Sequence, residues 1–351
     1  MFKKISFVAR RLRARVAVGL SLGLLLGLGL FICAYPVQPG DAKSLKFEAY
    51  IPLPRSGVVS ALDYMALEGG HLLVTSITSG DLYDIELASL SAGRSSSLRT
   101  LPGVGHAHGI AIVDDRIGFV TRAGSNVVDR FDRQSLRSTR KIGVADDPDA
   151  AVFDPSTRLV YVAGGDSMIA TLIDADSGDV VGQISLPGKP EFAVMDPKTE
   201  LLYQNLSTLN SVASVNLRTR KVVTVWGLPD CEGPSGMAID ADGRQLFVVC
   251  SKNRKLLVFD LQTHEVVATV SVGLLSDSVA FDPGLKRLYV AGGAGQLTVI
   301  SRTADSHYAI TEAIRTRIGS HTVAVDPLTH KVYLAGAGII AAPRIEVFTP
   351  R

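Results

Sequence analysis

The sequence predicts an all-β fold, a seven-bladed β-propeller of four-stranded antiparallel blades. Three observations carry that expectation: a strand–turn–strand segment that recurs at a near-constant spacing, the lack of any long stretch with helical periodicity, and two chain ends that each supply part of one blade. The repeat is clearest in "DAAVFDPSTRLVYVAGG" from Asp149, "EFAVMDPKTELLYQN" from Glu191 and "SGMAIDADGRQLFVVC" from Ser235. It continues in "DSVAFDPGLKRLYVAGG" from Asp277 and "HTVAVDPLTHKVYLAGA" from His321. The turn aspartates Asp154, Asp196, Asp240, Asp282 and Asp326 are spaced 42 to 44 residues apart. An Asp followed by Pro suits a type I turn, because Pro fixes φ and the Asp side chain caps the bend.

Two degenerate copies lie upstream. "HGIAIVDDRIGFVTR" from His108 places Val113 in the turn position, and "DYMALEGGHLLVTS" from Asp63 places Glu68 there. Each unit adds two outer strands, as in the hairpins "TLIDADSGDVVGQI" and "LVFDLQTHEVVATV". The last unit offers three strands, at 322–325, 331–335 and 345–348. Its fourth is expected from "FEAYIPLP" at 47–54, which would remove the open edge and shut the ring. The organisation read from this is a signal or membrane anchor at 1–34, a linker at 35–46 and one propeller domain at 47–351.

The first 34 residues pair a basic head (Lys3, Lys4, Arg10, Arg11, Arg13, Arg15) with an apolar run from Val16 to Ala34. That layout predicts export to the periplasm or beyond, either with cleavage after Ala34 or as an uncleaved inner-membrane anchor. The chain's net charge of +2 becomes −4 once those six basic residues are set aside, so a nucleic-acid partner is not expected. Two cysteines then remain, Cys231 and Cys250. An oxidising compartment and the antiparallel return of the second strand predict a disulfide between them.

The strands "LVYVAGG", "RLYVAGG" and "KVYLAGA" resemble the name-giving strand of the YVTN-repeat, YncE-like propellers. The resemblance covers nearly the whole exported region and implies the same fold and compartment. It does not imply an activity, since one fold carries many functions.

Candidate site residues follow from the repeat itself. Five residues before each turn position stand Asp63, His108, Asp149, Glu191, Ser235, Asp277 and His321. The next inward positions are small or apolar: Ala66, Ala111, Val152, Val194, Ala238, Ala280 and Ala324. These polar groups should encircle one mouth of the central channel. Three readings apply to the ring: a solvated structural girdle, direct recognition of a small polar ligand, or a divalent metal held by Asp63, His108 and His321 from adjacent units. In the metal reading, Asp149 or Glu191 would be the base of a lactonase- or esterase-type hydrolase. Loops on the same face bring Arg122, Asn126, Asp166, Asn205, Lys252, Asn253 and Arg254 as a rim for a ligand or a periplasmic or membrane protein. His71, His264, His307 and His330 read as surface residues, and Trp226 as packing between blades. Haem-attachment, zinc-helix and serine-elbow motifs are absent. The function expected is a monomeric binding or scaffold protein without a certain cofactor, with metal-assisted hydrolysis as the alternative.

Overall fold

The structure, a computed structural model, describes residues 44–88, 97–303 and 307–351. The segment read as a signal or anchor, 1–34, lies outside these residues. Among the described residues no helix is long and apolar enough to cross a membrane.

The alternating patterns form seven four-stranded antiparallel sheets. Their inner strands are Leu62–Glu68, Ala107–Ile112, Pro148–Asp154, Pro190–Asp196, Pro234–Asp240, Ser276–Asp282 and Ser320–Val325, which open blades one to seven in that order. Burial grades outward through each blade. In blade three the second strand, Leu159–Gly164, is buried throughout, whereas the fourth strand of blade two, Arg137–Gly143, buries only Ile142. The cores lie between blades: Tyr161 and Leu172 of blade three pack with Leu202 and Val215 of blade four. Trp226 stands in such a seam, with ring centroids 6.3 Å from Tyr203, 6.0 Å from Phe259 and 4.6 Å from His264.

Blade seven is spliced from both ends of the chain. Leu45–Pro52 pairs antiparallel with Arg344–Pro350, from Leu45 opposite Pro350 to Pro52 opposite Arg344, with a bulge between Phe47 and Ala49. This strand starts two residues earlier than the sequence suggested, inside the stretch read as linker, because Leu45 is itself a core residue against Tyr289 and Phe348. Ser44 is also tied in, its backbone N–H donating to Glu312 at 2.9 Å. Ile51 and Leu53 then pack against Tyr83 and Ile85 of blade one, so the closing strand seals two seams.

At the five Asp-led turns the carboxylate accepts backbone N–H bonds, as from Ser156 to Asp154 and from Lys198 to Asp196, both at 2.9 Å. The residue four positions on is left-handed in every case: Arg158, Glu200, Arg244, Lys286 and His330, with φ between 52° and 59°. Four of these side chains reach back to the preceding blade's turn Asp: Arg158 to Asp114 at 3.9 Å, Arg244 to Asp196 at 2.6 Å, Lys286 to Asp240 at 3.5 Å and His330 to Asp282 at 3.0 Å.

The two upstream turns differ from the sequence reading. In blade two Asp114, not Val113, caps the bend, accepting from Arg116 and Ile117 N–H at 2.8 Å. In blade one Glu68 pairs directly with His71 across Gly69–Gly70, both at positive φ, a two-residue hairpin that needs no cap. Three of the four histidines read as surface residues also have structural partners. His71 bonds Asp84 at 2.8 Å, His330 bonds Asp282, and His264 stacks on Trp226.

Asp196 is fully buried and paired, so Asp196→Ala should destabilise the protein by about 3 kcal/mol, because it strands the Arg244 guanidinium. Denaturant titration checks this. A chain started at Arg55 should lose cooperative unfolding and aggregate, because Arg344–Pro350 becomes an open edge. Light scattering and thermal melts read that outcome.

Candidate functional site at the channel mouth

All seven inner strands depart from regular pairing at the same place. The register shifts between Leu62 and Met65, Ala107 and Ile110, Pro148 and Ala151, Pro190 and Ala193, and Pro234 and Met237. The same shift falls between Ser276 and Ser278 and between Ser320 and Thr322. Each gap contains the polar residue singled out by the repeat. A bulged residue leaves the ladder, and its side chain is re-aimed off the sheet face. Here it is aimed inward: Asp63, His108, Asp149, Glu191, Ser235, Asp277 and His321 all line one cavity of about 330 Å³.

The same bulges set the floor. One residue beyond each ring position the chain has Tyr64, Gly109, Ala150, Phe192, Gly236, Ser278 and Thr322. Gly109 and Gly236 are required, since a Cβ at either would stand 2.3 Å from the next blade's backbone oxygen, at Asp149 or Asp277. Tyr64 and Phe192 come from blades one and four, on opposite sides of the axis. Their rings stack face to face, with centroids 5.2 Å apart and planes 3° from parallel. Both rings line the cavity, which therefore rests on an aromatic pair spanning the channel. The sequence reading missed this floor, although two aromatics among five small residues were visible at that position. It also missed Asp147, a cavity-lining residue that sits in the loop before the repeat begins.

The closest charge contacts in the ring join blades one to three. His108 Nδ1 lies 2.5 Å from Asp63 Oδ2 and 3.6 Å from Asp149 Oδ1. Burial alone would lower the His108 pKa. The Asp63 hydrogen bond and the Asp63 and Asp149 charges outweigh it and raise the imidazole to about 9. Burial, with the charges of Asp63 and Glu191 added, pushes Asp149 up to about 7 despite His108. Glu191 is also raised, chiefly by burial, although Ser207 Oγ donates to it at 2.9 Å. The ring thus has more acid than it can neutralise internally.

Ligand-capable atoms of Asp63, His108 and Asp149 all fall within 4.8 Å of one another. This set differs from the one read in sequence. Asp149 of blade three takes the third place, while His321 turns its Nδ1 to the Gly319 carbonyl at 3.0 Å. His106, upstream and exposed at φ 56°, stacks on His108 at 6.4 Å without joining the ring.

The rim residues contribute less than expected. Arg122 is not a rim group: it is 3% exposed, paired with Asp129 at 2.9 Å and donating to the Gly80 carbonyl, because it ends a buried second strand. Asn205 is likewise fully buried, donating to the Ser235 carbonyl at 2.6 Å. Asn126 holds a left-handed turn and bonds Asp146 at 2.8 Å, and Arg254 projects outward from another such turn at φ 61°. None of these four lines the mouth cavity. Cys231 and Cys250 are joined by a disulfide, which ties the loop before blade five's inner strand to the end of its second strand.

A family model for YNCE-like beta-propellers matches residues 188–281, from the loop ahead of blade four's inner strand to within blade six's. That match and the seven-bladed ring bear out the resemblance read from the strand repeats. Among solved structures the chain is similar to Kuenenia stuttgartiensis hydrazine synthase, at 17% identity and a TM-score of 0.70. The alignment covers 88% of this chain and 98% of that one. At that identity the likeness is one of fold. No curated protein sequence matches the chain.

His108 should remain protonated at pH 7.5 and titrate near 9, and Asp63→Asn should return it toward the ordinary value of about 6.5. Because the folded pKa is raised, the stabilisation from this pair is complete below about pH 6.5 and is lost as pH rises through about 9. NMR titration of the imidazole carbons, with melts across that range, measures both.

Proposed function

We propose that the protein is an exported binding propeller that takes a small organic cation at the channel mouth. Export is supported by the basic head and apolar run at 1–34, and the Cys231–Cys250 bond suits an oxidising compartment. The observation that carries the ligand reading is an acid-rich ring closed below by an aromatic pair. Carboxylates from Asp63, Asp149, Glu191 and Asp277 outnumber the two imidazoles around a cavity floored by Tyr64 and Phe192. An ammonium group gains from both features, about 0.5–2 kcal/mol from an aromatic face alone, and it relieves crowding among the acids.

A second reading rests on the Asp63–His108–Asp149 group. A divalent ion there would polarise an ester or lactone carbonyl, and Glu191 would remain as the base, since Asp149 becomes a ligand. The protonated His108 weighs against it, because a metal must displace that proton.

Calorimetric titration with choline, putrescine, zinc, manganese and calcium separates the two. Saturable amine binding, insensitive to chelator, is expected. Glu191→Gln with Asp277→Asn should weaken it at least tenfold, as should Phe192→Ala. Metal binding lost in His108→Ala, with no amine binding, would favour the hydrolase. Silence with every probe rejects the mouth as a cation site.

A further inference from the structure

Away from the channel, the splice in blade seven creates a second cavity of opposite charge. Arg315 ends the outer strand of blade six, Tyr308–Arg315, and Arg317 follows in the connecting loop. Arg344 opens the last strand of blade seven, and Tyr50 lies in the closing strand beside it. Together they line a cleft of about 490 Å³. Its one carboxylate among the described residues, Glu346, accepts from Arg344 at 2.8 and 3.2 Å. Three guanidiniums against one carboxylate leave the lining at +2, within a folded region whose net charge is −4.

The arginines are placed rather than scattered. The Arg344 guanidinium lies 3.7 Å above the Tyr50 ring, and Arg317 donates to the Ala342 carbonyl at 2.8 Å. Burial and the neighbouring Arg344 charge both pull Arg317 below its ordinary pKa, with Glu346 opposing. Two like charges are therefore held together with one shared counter-charge. Arg315 is exposed, and its side chain has no hydrogen-bond or ion-pair partner among the described residues. Thr316, also in the lining, has a buried hydroxyl without a partner among them.

We propose that this cleft binds a small tetrahedral dianion of the phosphate-monoester or sulfate class. A dianion neutralises the +2 lining, whereas a carboxylate leaves it half compensated. Guanidinium forks match such oxygens in bidentate geometry. The acidic mouth excludes the same ligand, so the two sites select opposite charges on one molecule.

The test is calorimetry of the full chain with inorganic phosphate, glycerol 2-phosphate, sulfate and, as control, acetate at matched ionic strength. Saturable 1:1 binding of a tetrahedral anion but not of acetate is expected. Tighter binding of glycerol 2-phosphate than of sulfate assigns the monoester, and the reverse assigns sulfate. Arg317→Gln should abolish binding and Arg315→Gln weaken it at least tenfold. Should Arg317→Gln not fold, Arg315→Gln decides alone, because that side chain holds nothing in place. Asp149→Asn at the mouth should leave anion affinity unchanged. Equal binding by the parent chain and Arg315→Gln, or equal heats with acetate, overturns the proposal.

Discussion

Crowding at the channel axis is the constraint from which the rest of this structure follows. Seven inner strands approach so closely that Gly109 and Gly236 have no room for a Cβ beside the next blade's backbone. The inner positions are accordingly small, and each strand leaves its ladder for one residue near the mouth. That departure lets a polar side chain point inward where a regular strand would turn it into a seam between blades. The ring of acids and imidazoles is therefore a product of closure geometry, and its chemistry is set by what sequence places in seven equivalent slots.

Equivalence explains how much was legible beforehand. A property shared by every copy, such as the turn aspartates or the seven ring positions, shows up as a period in the sequence and needs no knowledge of distance. What breaks the period was harder to see. Tyr64 and Phe192 belong to copies that are remote in sequence, and their stacking depends on both side chains crossing the axis. The metal-competent set drew on blade three instead of blade seven because His321 turns toward its own loop. Arg122 was read as a rim group for a ligand or partner from its place before a loop, but it is buried against the carbonyl of Gly80 and the carboxylate of Asp129. The arginine cleft was illegible for a different reason: it is assembled only where the first and last strands meet.

On the opposite face the Asp-led turns form a partial relay between blades. Asp114, Asp196, Asp240 and Asp282 each take a side chain from the next blade, Arg158, Arg244, Lys286 and His330, all delivered from the same left-handed position. Blade four has Glu200 at that position, so Asp154 is left with its own turn's donors, Ser156 and Thr157. Blade one bends on two glycines, and Glu68 beside them pairs with His71 across the hairpin instead of capping the turn. The relay therefore skips the seam between blades three and four and runs unbroken through blades four to seven, the half that also contains the disulfide.

The location of the closing strand also bears on how the molecule is made. Leu45–Pro52 precedes every blade in the chain, yet its partner, Arg344–Pro350, follows the strands of all the others. For nearly the whole of translation this segment has no sheet to join, and Ile51 and Leu53 have only half of their burial site. Blades can add one after another as local hairpins, but the toroid completes in a single late event that joins the two extremities of the chain. Closing the ring therefore asks for the longest loop closure in the molecule, and until it happens two seams stand open.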